Sequence, residues 1–228
     1  MSVWRRLSDV DLDSATDKTV VTVGTFDGVH RGHQAVIARA VQQAWTLGGR
    51  RDGHAPVVAV TLDPHPMAVL APDRAPTMLT RIDRRVQLLQ DAGADDVLVL
   101  GFDRTVAGWS PEEFVRRVLV DALHAGVVVV GAAFRFGARA AGDVDTLRTE
   151  GAEHDFSVDS VELVSDGADA PWSSTAARSP AGNRRSQRRA RGLSYRDRRR
   201  GGNRNRGGDR ARPRKPRCRA RDRAGARK

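Results

Sequence analysis

One cysteine, Cys218, in 228 residues leaves no partner for an intrachain disulfide and no thiolate cluster for a metal. Long apolar runs are missing too. None approaches the roughly 18 residues a helix needs to cross a bilayer, and the first twenty residues carry Asp9, Asp11, Asp13 and Asp17 where a signal peptide would place an apolar core. Disulfide-stapled secreted scaffolds and helical membrane proteins are thereby excluded, and a soluble cytoplasmic protein is expected. An even spread of charge is also lacking. Residues 179–228 hold 19 Arg and 2 Lys against 3 Asp, a net +18, which leaves 18 basic and 25 acidic residues in 1–178, a net −7. The quoted total of +11 therefore describes neither part: the body is mildly acidic and the tail is a polycation. In that tail Leu193 and Tyr195 are the only large apolar residues, so no core can offset ordering entropy and disorder is expected.

What the body does contain is a regular alternation of strands and helices. The first residues, with Trp4 and Leu7, suggest a short lead-in strand. Val20–Val23 is strand-like, and the helix from about Arg31 to Leu47 repeats apolar residues at Val36, Ile37, Ala40, Val41, Ala44 and Trp45. Pro56–Leu62 is a continuous apolar run that suits a strand buried on both faces, halted by Asp63-Pro64-His65-Pro66. Thr80 is a candidate N-cap for a helix to about Asp91 through Ile82, Val86 and Leu89, and Asp96–Leu100 is the next strand. Ser110-Pro111-Glu112-Glu113 starts a capped helix through Phe114, Val118, Leu119 and Ala122. Val127–Val130, a helix over Asp143–Gly151 and a strand over Phe156–Val164 follow. Such alternation predicts an α/β fold with an open parallel sheet covered on both faces, whose ligands bind beyond the carboxyl ends of the strands. His30, His65 and Phe134 each follow a predicted strand end, which places all three on that one edge.

The stretch that organises the chain is VVTVGTFDGVHRGH, Val20 to His33. A strand that turns through glycines into a helix start gathers backbone N–H groups and the positive end of the helix dipole at one spot, which favours a phosphate. His30 and His33, three apart, share a face there and can reach one anion. On the local pattern alone, a Gly-rich turn with two surface histidines stays open as an alternative.

The segment His30-Arg31-Gly32-His33 resembles the HxGH signature of the nucleotidylyltransferase superfamily, and the longer GTFDGVHRGH is similar to the FMN adenylyltransferase (FAD synthetase) module of bacterial bifunctional riboflavin kinase/FMN adenylyltransferases. Three further blocks appear in the same order as in that family. Thr61-Leu62-Asp63-Pro64-His65-Pro66 resembles its TFxPHP segment, Val130-Gly131-Ala132-Ala133-Phe134-Arg135-Phe136-Gly137 its VGxNFRFG loop, and Ser173-Ser174-Thr175-Ala176-Ala177-Arg178 its ISSTxxR signature. The resemblance covers roughly residues 3–178 and implies a Rossmann-like fold of the HxGH type. It implies transfer of AMP from ATP to FMN, giving FAD and pyrophosphate, with Mg²⁺ accompanying ATP. It assigns His30 and His33 to catalysis at the ATP phosphates, and Gly24, Phe26, Asp27, Gly28, Gly32, Ser174, Thr175 and Arg178 to ATP binding. Asp63, Pro64, His65, Pro66, Phe134 and Phe136 go to the flavin, and no residue is assigned to a protein-held metal. By residue type alone, Pro64-His65-Pro66 also reads as a rigid turn, and Phe134 and Phe136 as plain core.

The chain departs from the family pattern in places. Ala133 stands where Asn or Asp is usual and Ala176 where an arginine is usual, and Pro180 and Gly182 should abort the helix that Ser174 and Thr175 would cap. The resemblance assigns residues 1–178 to the FMN adenylyltransferase domain. It also leads us to expect no riboflavin kinase activity, because 179–228 has no kinase-like pattern. That Arg-, Gly- and Pro-rich tail reads either as the product of a shifted frame in a GC-rich gene or as an evolved basic arm. A competing function, non-specific nucleic-acid binding through the tail, would rest on phosphate neutralisation, since Tyr195 alone offers stacking. Another HxGH enzyme, acting on a pantetheine or nicotinamide phosphate, would share the histidines but not the PHP and FRFG blocks.

Overall fold

The computed structural model describes residues 1–12, 18–49 and 53–162. Six parallel strands form one sheet in the order β1-β4-β3-β2-β5-β6. Strand β1 (Val3–Trp4) is the expected lead-in and pairs with β4 (Asp96–Gly101) at one edge, while β6 (Ser157–Val161) closes the other. At the centre lies β2 (Thr19–Gly24), with β3 (Val57–Asp63) on one side and β5 (Ala125–Gly131) on the other. The chain leaves β2 toward β3 and β4, then crosses back to β5, so the order reverses between β2 and β5. In open α/β sheets that reversal leaves a crevice at the strands' carboxyl ends.

The apolar runs form central strands because both faces are covered. Val20, Ala59, Val57, Val127 and Val129 pack under α1 (Arg31–Leu47) and α3 (Ile82–Asp91). Their neighbours Val21, Val23, Val58, Val60, Val128 and Val130 face the opposite layer. That layer is built from α5 (Pro111–Phe114), its continuation over Val115–Ala122, and α6 (Val144–His154). Two short helices, α2 (Pro66–Leu70) and α4 (Arg104–Ala107), lie at the carboxyl edge.

Most local signals act as read. The Ser110 hydroxyl accepts from the Glu113 N–H, with Pro111 at the first helical position, and Asp143 caps α6 by accepting from the Thr146 N–H. Two differ. The stretch Val115–Ala122 winds as a π-helix, a wider turn that still buries Val115, Val118 and Leu119. Thr80 does not cap α3: Arg81 precedes the helix without a side-chain capping bond, and the Thr80 hydroxyl is drawn to residues fifty positions earlier. Of the final strand, Ser157–Val161 is in the sheet with Phe156 buried just before it, and Leu163 and Val164 lie outside the described residues. So do Ser174, Thr175, Arg178, the boundary at 178 and the whole basic tail.

The connection after β5 is shaped by Gly137, whose φ of +72° and ψ of 176° belong to a region essentially reserved for glycine, and whose added Cβ would lie 2.8 Å from the Pro111 nitrogen. Gly137→Ala should therefore cost about 1–3 kcal/mol. Gly131→Ala, with open space around it, should stay within about 0.5 kcal/mol. Urea midpoints followed by circular dichroism compare the two, and equal midpoints would refute the assignment.

Candidate active site

The loop from β2 to α1 carries unusual backbone geometry. Phe26 has φ +49°, Gly28 +73° and Val29 +37°, and a β-branched residue in that region is strained. The conformation is held because Phe26, Asp27 and Val29 are all buried. The ring of Phe26 lies against Gly24, where a Cβ would come within 3.2 Å of it. The Asp27 carboxylate accepts from the Leu79 N–H at 2.9 Å, the Thr80 N–H at 3.0 Å and the Thr80 hydroxyl at 3.2 Å. Burying a carboxylate is costly unless donors surround it. Here three do, and the loop is thereby tied to the segment preceding α3. The Thr80 hydroxyl in turn accepts from the Gly28 N–H.

Beyond that loop α1 begins, and its first turn holds the histidine pair. His30 is the N-cap: its Nδ1 accepts from the His33 N–H at 3.4 Å, which in the neutral ring leaves the proton on Nε2. The two imidazoles stack with centroids 3.6 Å apart and planes 20° from parallel, and Phe26 meets His33 edge-on at 5.1 Å. Among the described residues nothing meets the buried Nδ1 of His33, so Nε2 is the nitrogen through which this ring can reach a ligand. Burial pushes His33 down to about 3, aided by the adjacent His30 and by Arg85 and opposed by Asp27. His33 is thus neutral at physiological pH. It offers an N–H donor beside the positive end of a 17-residue helix.

The second segment at this edge follows β3. After Asp63, joined to Pro64 by a cis peptide bond, His65 caps α2 by accepting from the Met67 N–H at Nδ1 (3.1 Å). As at His30, the acceptor role of Nδ1 leaves Nε2 as the nitrogen that carries the ring proton. The third segment follows β5. There Phe134 and Phe136 stack at 5.5 Å, but Phe136 is a core residue packed on Phe114 and Gly142, whereas Phe134 is half-buried in front of it. Ala133 is exposed in the turn. Because β2 is hydrogen-bonded to both β3 and β5, the three segments leave neighbouring strands at the same edge of the sheet.

Sequence reasoning missed Thr61, Thr80 and Arg85, which frame this edge from behind. Arg85 is 1% exposed and donates to the Thr61 hydroxyl, the Leu62 carbonyl and the Thr80 carbonyl. A signal existed, since Arg85 falls on the apolar stripe of Ile82, Val86 and Leu89, where a solvated arginine would not be placed. Elsewhere, Glu150, Glu153 and His154 cluster on α6, away from the carboxyl edge. No helix among the described residues is long and apolar enough to cross a membrane.

The FAD synthetase family model matches residues 12–176, most of the chain. The chain belongs to the FAD synthetase family. It is 36% identical to the bifunctional riboflavin kinase/FMN adenylyltransferase of Escherichia coli K12 over 148 residues, 65% of this chain and 45% of that one. With the Pseudomonas fluorescens protein of the same name identity is 38% over 145 residues, 64% and 44% of the two chains. The chain therefore spans about half the length of these curated relatives. Among solved structures, one described as a macrolide-efflux protein from Streptococcus pneumoniae superposes with a TM-score of 0.62 at 25% identity, covering 76% of this chain and 53% of that one. A Francisella tularensis pantoate-β-alanine ligase superposes at 0.55 with 11% identity, covering 86% and 80%, and shares the fold. The family match favours the flavin branch over the other HxGH enzymes.

The neutral state of His33 has a consequence for stability. The native ring binds no proton until about pH 3, whereas in the unfolded chain it does so near the ordinary value of about 6.5. Its contribution is therefore complete above about pH 6.5 and is lost as pH falls toward 3, with a slope approaching 1.4 kcal/mol per pH unit. Chemical denaturation at pH 7, 6, 5 and 4 should show the parent protein losing stability more steeply than His33→Gln. Parallel curves would mean that His33 is not held neutral.

Proposed function

We propose that this chain transfers the adenylyl group of ATP to the phosphate of FMN, forming FAD and releasing pyrophosphate. The observation that carries the reading is the stacked, capped histidine pair at the start of α1, set at the reversal point of the sheet in an FAD synthetase domain. The reaction forms one bond, from an FMN phosphate oxygen to the α-phosphorus, and breaks one, from that phosphorus to the bridging oxygen of pyrophosphate. The attacking oxygen is already ionised near neutral pH, so no base has to remove a proton. What remains is to hold two anions together and to stabilise charge as it moves from the α-phosphate to the leaving group.

The residues suit that demand. The Nε2–H groups of His30 and His33 act as neutral donors to the ATP phosphates beside the dipole of α1. Gly24, Phe26, Asp27, Gly28 and Gly32 shape the loop that lets phosphate approach the backbone. Asp63, Pro64, His65 and Pro66 with Phe134 form the flavin side, and Phe136 acts there as the support against which Phe134 rests. Ser174, Thr175 and Arg178, outside the described residues, complete the ATP side. Mg²⁺ enters with ATP as part of the substrate, because hard phosphate oxygens are its natural ligands. The Asp27 carboxylate is engaged by Leu79 and Thr80 and belongs to the loop's frame. The cytoplasm, where FMN and ATP are available, is the fitting location.

Incubation of the purified protein with FMN and MgATP should yield FAD and pyrophosphate in equal amounts, and absence of both would overturn the proposal. His30→Ala or His33→Ala should lower kcat by about 10²–10³, the usual effect of removing one transition-state donor. A change confined to the KM for ATP would instead show that the pair binds only the ground state. Ala133→Asn, which returns a polar group in front of Phe134, should raise kcat/KM for FMN, and an unchanged value would show that Ala133 is no defect.

A further inference from the structure

Arg85 lies behind the site, and its hydrogen bonds run in two directions that end on the same loop. Along one, its Nη1 donates to the Thr61 hydroxyl at 3.3 Å, and that hydroxyl donates onward to the Thr25 carbonyl at 3.1 Å. Along the other, its Nη2 donates to the Thr80 carbonyl at 3.4 Å, and Thr80 bonds both Asp27 and Gly28 through its hydroxyl. A third bond, from Nη1 to the Leu62 carbonyl at 3.0 Å, fixes the end of β3 just before Asp63. Thr25 and Asp27 flank Phe26, whose ring edge rests on His33. The guanidinium is thus connected, through two threonines, to both sides of the residue that backs the histidine pair.

We infer that Arg85 is a positioning residue for adenylyl transfer: its buried fork locks the ends of β2 and β3 and the segment before α3 into one unit, and so sets the placement of His33. The inference rests on the reaction proposed above. A purely structural arginine would be a poor choice for this position. Burying a guanidinium is costly, its Nε is unpartnered here, and an apolar residue of similar volume would fill the stripe between Ile82 and Leu89. The arginine is matched instead to function. Its fork reaches three acceptors on two segments at once. Its charge is balanced by Asp27 and Asp63, which oppose the effect of burial on it.

The groups that face His33 are few: His30 on its own helix, Asp27 on the preceding loop and Arg85 on α3. Asp27 favours the imidazolium, while Arg85 and His30 oppose it. Burial remains the main influence that keeps the ring neutral, so removing the arginine's charge takes away one lesser opponent of the imidazolium and shifts the midpoint upward. This gives a readout that mere loss of packing does not produce.

The experiment compares Arg85→Met and Arg85→Lys with the parent protein in two measurements. One is FAD formation from FMN and MgATP; the other is the NMR titration of the His33 imidazole in the free protein, assigned with His33→Gln. Arg85→Met should lower kcat by about 10²-fold, the scale of a small displacement of a reacting group, with the KM for ATP within about threefold. Its His33 midpoint should move up. Arg85→Lys, which keeps the charge, should recover kcat to within about tenfold and leave the midpoint near that of the parent. A folded Arg85→Met with unchanged kcat and an unchanged His33 midpoint overturns the inference. So does an equal loss of kcat in both variants with no movement of His33, which would make Arg85 a space-filling residue. If Arg85→Met does not fold, Thr61→Val carries the test by cutting the first path alone, and an unaltered kcat there overturns it. A parent protein that makes no FAD would sink the reading of function, while the His33 titration would still decide the role of Arg85.

Discussion

The constraint on which the site depends is the burial of one carboxylate. Asp27 is fully enclosed and accepts from two backbone N–H groups and one hydroxyl, all from Leu79 and Thr80. An ionised carboxyl in that position is tolerable only because these donors and the nearby Arg85 offset the lost hydration. Everything in front of it follows. With Asp27 anchored, the backbone at Phe26 and Val29 is held at positive φ against its own preference. Phe26 is turned down onto Gly24, and its edge is pressed to His33. The strain in the loop is thus balanced by hydrogen bonds to a segment fifty residues later, and by the core beneath it.

Much of this was legible in the sequence, for a definite reason. The strands could be read because a central parallel strand buries both faces, and runs such as Val57–Leu62 are apolar but for the β-branched Thr61. The helix from Arg31 to Leu47 could be read because apolar residues recur at helical spacing from Val36 to Ala44. The three segments at the carboxyl edge followed from topology, since each motif stands directly after a strand. What could not be read depended on partners distant in the chain. Thr80 looks like a cap because serine and threonine commonly are, but its hydroxyl is engaged by Asp27 and Gly28. Nothing local announces that competition. The π-helical turn over Val115–Ala122 was equally hidden, because its buried residues keep spacings that an α-helix would also use. Phe134 and Phe136 share one motif and stack on each other, yet Phe136 is buried in the core while Phe134 in front of it stays half-buried.

The same dependence explains why His33 is neutral, a property no motif encodes. His30 is held in one tautomer by capping the helix through Nδ1, and His33 is kept uncharged by burial, by its stacked neighbour and by Arg85. Both constraints exist only once α1, the β2 loop and α3 are in place.

Neutral donors suit a reaction that gathers so much negative charge. A lysine or arginine at the position of His33 would bind ATP, FMN and pyrophosphate alike through its full charge. Uniform binding of that kind lowers the energy of substrate and product as much as that of the transition state, and so contributes little to kcat. An imidazole N–H is weaker at long range but directional. Its interaction grows most where charge accumulates along the N–H axis as the bond to the leaving oxygen lengthens. The general attraction for phosphate then comes from the α1 dipole, and the fixed cation stays behind the loop as Arg85, out of hydrogen-bonding reach of the open edge. In the proposed reaction, attraction and transition-state recognition would fall to different groups, and that separation would let product leave a site that must hold several phosphates at once.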